Sequence, residues 1–317
     1  MIVINFIYCL DENYNTQCIT SIFSILEKTS EKANFFILHE NPASINKLLQ
    51  RVEGHKMTND IVTKKFDKDS SFFINLEKSH VSAASYFRLY LDEYFDGGLK
   101  YFVYIDPDVI CNLDPVFTIR DSIKKMSQKS LNVGAVTEDV DEVKSSNSSR
   151  LNLPSQKYFN AGIMIINLAT WKSETIGIKL REILKNSKDK IVLHDQDVLN
   201  LFFDGDYLEL SPYLNFTVPI LNDDVSKKLN KFEIGEVIFY HFAGNRKPWQ
   251  LKGLFNPLAE VYQNTYRNLF NKKYHFDNMP KRKTLSILLE TISSRRFLEF
   301  KFPLHYIYFM IKFLISK

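Results

Sequence analysis

The sequence predicts an α/β fold with a mostly parallel central sheet and a small helical appendage at its C-terminal end. Three observations carry this. Short apolar runs without alternation, such as Ile2–Leu10, Ala33–His39 and Tyr101–Ile105, are the pattern of strands buried on both faces. Segments of helical spacing separate the early ones, so residues 2–66 read β-α-β-α-β, which closes as parallel strands with right-handed crossovers. Polar residues then recur where strands end: Asp11, Asn13, Asp106, Asp108, Glu138 and His241. In open α/β sheets the carboxyl ends of the strands are where ligands bind.

Taken in order, Ile2–Leu10 is the first strand. Tyr14–Lys28 follows with apolar residues at 18, 19, 22, 23, 25 and 26, a helical period. Ala33–His39 is the second strand, Pro42 opens a helix running to about Glu53, and Ile61–Phe66 is the third strand. Ser82–Phe95 places Tyr86, Leu89, Tyr90 and Tyr94 on one helical face, and Gly97-Gly98 ends it. After the Tyr101 strand, Leu131–Val136 and Ile163–Asn167 are strands. Residues 139–157 between them are polar and aperiodic, as in a lid or a disordered connection. Trp171–Leu184 and Asp195–Phe203 are helices, and Val237–His241 is a last strand.

Composition is that of an ordinary globular protein, with 45% hydrophobic and 25% charged residues. Charge is unevenly placed. The chain has 41 Lys/Arg and 37 Asp/Glu; residues 281–317 hold eight of the bases and only Glu290 and Glu299 of the acids, leaving the rest at −2. A near-neutral body excludes a nucleic-acid surface spread over the domain, and a basic tail points to a local anionic partner. Cys9, Cys18 and Cys111 form no CxxC pair and have apolar neighbours, as expected of reduced thiols in a cytosolic protein. The apolar N-terminus lacks a basic flank and a small-residue cleavage site, so it reads as a strand rather than a signal peptide. No run reaches the roughly 18 apolar residues of a spanning helix. Leu304–Ile315 reads either as a segment lying on an anionic membrane surface or as a helix packed on the body.

The chemistry concentrates in a few stretches. In Tyr101–Cys111 an apolar run meets Asp106-Pro107-Asp108. Two carboxylates at a strand end repel unless a cation lies between them, and around a tight bend both can aim oxygens at one point. The pair fits either a solvated turn or a divalent-cation site. His241 could add a third ligand, a mixture of imidazole and carboxylate that suits Mn²⁺ better than Ca²⁺, or act as a hydrogen-bonding residue. Lys247 beside Pro248 offers a cation for a diphosphate, or is solvated. Asn160-Ala161-Gly162 puts small residues at a strand entrance, where a ligand can approach the backbone and Asn160 can meet a sugar hydroxyl; a self-satisfied turn is the alternative. His194-Asp195-Gln196-Asp197 opens a helix, with Asp195 suited to the N-cap. Arg88 is either a surface arginine or the partner of a catalytic carboxylate.

Six of these stretches, in this order, resemble one family: Asp11-x-Asn13-Tyr14, Ser85-Tyr86-x-Arg88-Leu89, Tyr104-Ile-Asp-x-Asp108, Tyr158-Phe-Asn-Ala-Gly162, Asp195-Gln-Asp197 and His241-x-x-Gly244-x-x-Lys247-Pro-Trp249. They are similar to the retaining glycosyltransferases of family 8, including the bacterial lipooligosaccharide galactosyltransferases and glycogenin, over residues 1 to about 255. The resemblance implies a GT-A fold, a UDP-sugar donor and Mn²⁺, with Mg²⁺ as the alternative ion. It implies metal ligands Asp106, Asp108 and His241. It assigns Asp11 and Asn13 to the uridine, and Arg88, Asn160, Ala161, Gly162 and Asp195 to the donor sugar, with Asp106 also at the donor. Lys247 falls to the diphosphate, and Gly244 to donor binding. Gln196 is expected near the anomeric carbon, with Asp195 as its catalytic neighbour. Glu138 stands where a shorter acid is familiar.

The expected organisation is a catalytic domain over 1–270 and a basic, aromatic tail over 271–317 that associates with an anionic membrane. The expected protein is cytoplasmic and peripheral at the inner face of the cell membrane. It moves galactose or glucose to a lipid-linked or cell-surface glycan precursor. Two other classes share some features. One is a haloacid-dehalogenase-like phosphatase with Asp106 as nucleophile; the other is a non-catalytic module that binds nucleotide sugars.

Overall fold

The computed structural model describes residues 3–69, 73, 82–95, 98–138, 144–219, 228, 232–277 and 281–315. The chain divides into two units, Met1–Phe216 with Gly235–His241, and Thr217–Ile234 with Phe242–Lys317.

The first unit is built on a seven-stranded sheet. Its strands are β1 (Ile4–Leu10), β2 (Ala33–His39), β3 (Thr58–Lys65), β4 (Tyr101–Ile105), β6 (Val133–Thr137), β7 (Phe159–Asn167) and β8 (Leu208–Glu209), in the order β3-β2-β1-β4-β7-β6-β8. β1 pairs parallel with β2 and β4, β2 with β3, and β6 with β8, while β7 runs antiparallel to both its neighbours. The mostly parallel expectation holds, with β7 as the reversed strand. A short strand β5 (Val109–Cys111) leaves this sheet and pairs antiparallel with β9 (Phe239–His241).

Both faces of the sheet are covered, which is why its inner strands are apolar throughout. Tyr8 on one face hydrogen-bonds Ser21 of helix α1 (Asn15–Lys28) at 3.0 Å. On the other, Ile7, Cys9, Phe36, Leu38 and Phe102 pack in one core with Tyr86, Leu89, Trp171, Leu180 and Leu199. Each fully buried side chain of this kind contributes about 1.5–3 kcal/mol. The three cysteines are buried and unbonded to one another.

Several elements differ from the sequence reading. Residues 82–95 form not one α-helix but a 3₁₀ stretch, Ala83–Tyr90, and a single α-turn, α3 (Leu91–Tyr94). Three residues per turn stack Ser85 over Arg88, and the Arg88 Nε donates to the Ser85 carbonyl at 3.1 Å. Gly97 of the expected terminator lies outside the described residues. The first crossover helix after Pro42 begins as a 3₁₀ turn and becomes α2 (Asn46–Glu53). Helix α4 (Val116–Lys129), between β5 and β6, has no counterpart in the sequence reading. Of the polar 139–157 connection, 139–143 lie outside the described residues, and Lys144–Leu151 is a helix, α5. The expected Trp171–Leu184 helix is two, α6 (Leu168–Ser173) and α7 (Ile176–Asn186), broken at Thr175, whose φ is +55°. Helix α8 spans His194–Phe203.

The second unit has its own core of Leu251, Leu254, Tyr274, Ile287, Leu288, Tyr306 and Met310. It includes α9 (Ala259–Phe270), α10 (Lys281–Ser293) and α11 (Pro303–Ile315). His275 stacks on Tyr266 at 4.9 Å between ring centres and accepts or donates at Tyr262 Oη, 2.6 Å away.

Candidate active site

The register of β5 on β9 builds the first part of the site. Val109 pairs with His241, so the residue before Val109 is brought beside the histidine. His241 Nε2 lies 3.4 Å from Asp108 Oδ1 and 4.0 Å from Asp106 Oδ2. One ligand atom from each of the three residues falls within 4.8 Å of the others. All the same, Asp108 and His241 are buried. Two carboxylates converging on an imidazole nitrogen fit a divalent cation of the Mn²⁺ or Mg²⁺ kind.

Asp106 divides its oxygens. Its Oδ2 faces His241, and its Oδ1 accepts from Arg88 Nη2 at 2.8 Å and from Tyr104 Oη at 2.7 Å. Arg88 is 3% exposed, so it is a buried cation and not a surface one. It also lies 2.8 Å from Asp195 Oδ2, donates to the Ala161 carbonyl at 2.6 Å, and stacks over the Tyr104 ring at 3.9 Å. Burial alone would lower the Arg88 pKa, but Asp195, Tyr104 and Asp106 outweigh it and the guanidinium is held more firmly protonated. Asp195 goes the other way. Burial raises its carboxyl to about 6 against the pull of Arg88, with Asp106 adding to the rise.

The reversed strand brings in the third part. β7 is antiparallel to β4, so its first residues lie at the edge where the parallel strands finish. The Asp106 N–H donates to the Gly162 carbonyl at 2.8 Å. Asn160, Ala161 and Gly162 therefore belong to the strand itself and do not precede it. Gly162 is small for a reason inside the protein: a Cβ there would lie 2.1 Å from His241 Cε1. The imidazole packs against the glycine.

Helix α8 supplies the fourth part. The Ala161 N–H donates to Gln196 Oε1 at 3.0 Å, and Gln196 Nε2 donates to Tyr158 Oη and Glu138 Oε1, each at 3.2 Å. Tyr158 donates to Asp197 Oδ1 at 2.7 Å, and Arg150 of α5 grips both oxygens of that carboxylate, at 2.8 and 3.0 Å. Asp197 is fully buried and also accepts from the Val192 and Leu193 N–H groups at 2.7 and 2.8 Å. Burial would raise its pKa; the bonds from Arg150, Tyr158 and the backbone overcome this and lower it. The expected N-cap role of Asp195 does not appear. Leu193 precedes the helix without a side-chain cap, and Asp195 turns to Arg88 instead, because a buried cation is the stronger partner.

Arg88, Asp106, Asp108, Asn160, Ala161, Gly162, Asp195, Gln196 and His241 thus come together at one sheet edge. Asp11 and Asn13 stand at the end of the adjoining strand β1, where the Asp11 carboxylate accepts from the Asn13 N–H at 2.9 Å. Gly244, at φ +82°, and Lys247, whose ammonium donates to the Phe242 carbonyl at 2.8 Å, belong to the second unit. Sequence reasoning quoted Tyr104 within its motif without giving it a role, and missed Arg150, Asn200 and Asn215. Asn200 clamps the start of β7 by both backbone groups of Phe159, at 2.8 and 3.0 Å. None of these three missed residues has a local spacing that marks it.

Comparison with known proteins bears on the family and the fold. The model of glycosyl transferase family 8 matches residues 5–253. The lipopolysaccharide 1,2-glucosyltransferase of Escherichia coli is 29% identical over 276 residues, 83% of this chain and 76% of that protein. The lipopolysaccharide 1,3-galactosyltransferase of Salmonella typhimurium is 27% identical over 263 residues, 81% and 76% of the two chains. Among solved structures, the galactosyltransferase LgtC in complex with donor and acceptor sugar analogues superposes with a TM-score of 0.71 at 20% identity, covering 84% of this chain and 96% of that one. At that identity the likeness shows the fold, which is the expected GT-A architecture.

Proposed function

The chain belongs to glycosyl transferase family 8, and from that premise we propose that it transfers a hexose, galactose or glucose, from a UDP-sugar to a glycan acceptor with retention at the anomeric carbon. The observation that carries the reading is the convergence of Asp106, Asp108 and His241 beside Gln196 and the Asn160–Gly162 strand entrance. Asp106, Asp108 and His241 would hold a divalent ion, Mn²⁺ or Mg²⁺. When bound, that ion supplies Lewis acidity to the departing diphosphate.

The protein's own groups do the remainder. Arg88 lies 2.8 Å from both Asp106 and Asp195, so one buried cation positions the two acids. Asp195 and Asn160 accept and donate to sugar hydroxyls. Gln196, pinned by Ala161, Tyr158 and Glu138, presents a neutral amide near the reacting carbon, which favours attack by the acceptor on the face the UDP leaves. Asp11 and Asn13 meet the uridine. The expectation of a diphosphate contact for Lys247, and of donor binding for Gly244, rests on the sequence motif. A phosphatase with Asp106 as nucleophile is disfavoured by the match to glycosyl transferase family 8 over residues 5–253.

The deciding experiment is a screen of UDP-hexoses for slow donor hydrolysis. One of them should turn over with Mn²⁺, stop with chelator, and be lost in folded Asp106→Ala and Asp108→Ala proteins. Donor binding without UDP release under any acceptor would leave the non-catalytic module instead.

The acceptor we propose is a lipid-linked or cell-surface glycan, such as a lipopolysaccharide precursor, met by a cytoplasmic enzyme resting on the inner face of the membrane. Support comes from the two last helices. Among the described residues no helix is long and apolar enough to cross a membrane. Yet Leu304, Tyr308, Ile311 and Ile315 form an exposed stripe on α11, with Leu304 81% exposed, and Leu285, Leu289 and Ile292 do so on α10. Tyr306 and Met310 on the opposite side are buried within the second unit. An apolar stripe flanked by Arg295, Arg296, Lys301 and Lys312 suits an anionic bilayer surface. Replacing Leu304 and Ile311 with Ser should release the protein from phosphatidylglycerol vesicles and spare donor hydrolysis; vesicle binding that persists would show that the stripe serves another purpose.

A further inference from the structure

His241 is held from behind. Its Nδ1 lies 2.9 Å from Asn215 Oδ1, while its Nε2 faces Asp108 and Asp106. A neutral imidazole carries its proton on one nitrogen, and only the other can bind a metal. Which nitrogen it is follows from a chain of hydrogen bonds that begins at the backbone.

The Gly162 N–H can only donate, and it points at Asn160 from 3.0 Å, so the Asn160 atom there is the amide oxygen. The Asn160 amide nitrogen then donates to Glu138 at 3.3 Å. Asn215 approaches that same Asn160 oxygen at 2.9 Å, so it must present its NH₂. Its oxygen is then the atom turned to His241. An amide oxygen only accepts, so Nδ1 carries the proton and Nε2 keeps its lone pair toward the two aspartates.

We propose that Asn215 is a positioning residue that sets the tautomer and ring orientation of His241 and ties the metal site to Asn160 in one hydrogen-bonded unit. Asn215 is 3% exposed, so water does not substitute for it. Gly162 completes the seat by letting the ring lie against its backbone. Partners of this sort fix the orientation of a metal-binding histidine, and losing one typically weakens the metal about 10–100-fold. This inference rests on reading Asp106, Asp108 and His241 as metal ligands.

The first test needs neither metal nor variant. Long-range ¹⁵N–¹H spectra of histidine-labelled, metal-free protein at alkaline pH should show His241 protonated on Nδ1; a proton on Nε2 overturns the proposal. The second is Mn²⁺ titration by electron paramagnetic resonance with UDP present. Folded Asn215→Leu protein should bind Mn²⁺ about 10–100-fold more weakly and show mixed tautomers, and an unchanged affinity with an unchanged tautomer overturns the proposal. Asn215→Asp keeps an acceptor for Nδ1 and loses the donor to Asn160. It should retain the Nδ1 proton while the KM for the UDP-sugar rises, and loss of the Nδ1 proton there would count against it. If wild-type protein with the Nδ1 proton bound no Mn²⁺, the metal reading would fail while the tautomer assignment stood.

Discussion

Gly162→Ala isolates one contact with unusual clarity. Gly162 lies in β7 at a backbone conformation open to any residue, and replacing a strand glycine ordinarily stabilises by about 0.4–1 kcal/mol through the unfolded chain. Here the new Cβ would lie 2.1 Å from His241 Cε1, 2.6 Å from Nδ1 and 2.8 Å from Nε2. Carbon atoms in contact need about 3.5–4.0 Å, so the ring must retreat by more than an ångström. Buried at 4% exposure between Asn215 and Asp108, it has no room to do so. Overpacking of this kind costs about 1–3 kcal/mol. The assay is a double-mutant cycle in urea, read by circular dichroism, with His241→Ala as the second change. Gly162→Ala should destabilise the wild type by about 1–3 kcal/mol and be neutral or stabilising once the ring is gone. An equal cost in both backgrounds would refute the steric argument, because the glycine would then be needed for something other than His241.

Two further predictions concern acids two residues apart. Asp197 has a lowered pKa, so its contribution to stability is present above the ordinary carboxylate range and is lost as pH falls through its folded value; Arg150→Ala should cost about 1.5–3 kcal/mol at neutral pH by removing the charged donor and leaving that buried carboxylate to Tyr158 and two backbone N–H groups, and much less in acid. Asp195, raised to about 6, has the opposite sign: it binds its proton more tightly folded than unfolded, so its term falls as pH rises from about 4 to about 6. Carboxyl ¹³C titration should find the Asp195 resonance moving near pH 6, and a midpoint near 4 would remove the burial argument.

The strand ends were legible because they are local. An apolar run that stops at Asp106-Pro107-Asp108 marks a buried strand and its ligand-facing edge in eleven consecutive residues. The two-faced core made the pattern strong. Helix type was less legible. Residues 82–95 have a helical period, but the pull of Arg88 on Ser85 and on two distant aspartates favours the tighter 3₁₀ winding, and no local signal carries that. The break at Thr175 was hidden in the same way. So was the capping of α8, where Asp195 looked like an N-cap and is instead engaged by an arginine more than a hundred residues earlier in the chain.

The sequence by itself determined the ingredients: buried strands, acids at their ends, a small-residue entrance and a histidine behind a late strand. Apolar runs and residue chemistry are properties of short stretches, so they survive without coordinates. Tertiary structure decided how those ingredients meet. The antiparallel course of β7 turns Asn160–Gly162 toward Asp106, and the register of β5 on β9 sets His241 beside Asp108. Asn215 then falls behind the imidazole. Strand direction and register are set by packing across the whole sheet, and a hydrogen bond between residues dozens of positions apart leaves no period in the chain. That is why Asp106, Asp108 and His241 could be picked out from the sequence, and Asn215, which holds the imidazole from behind, could not.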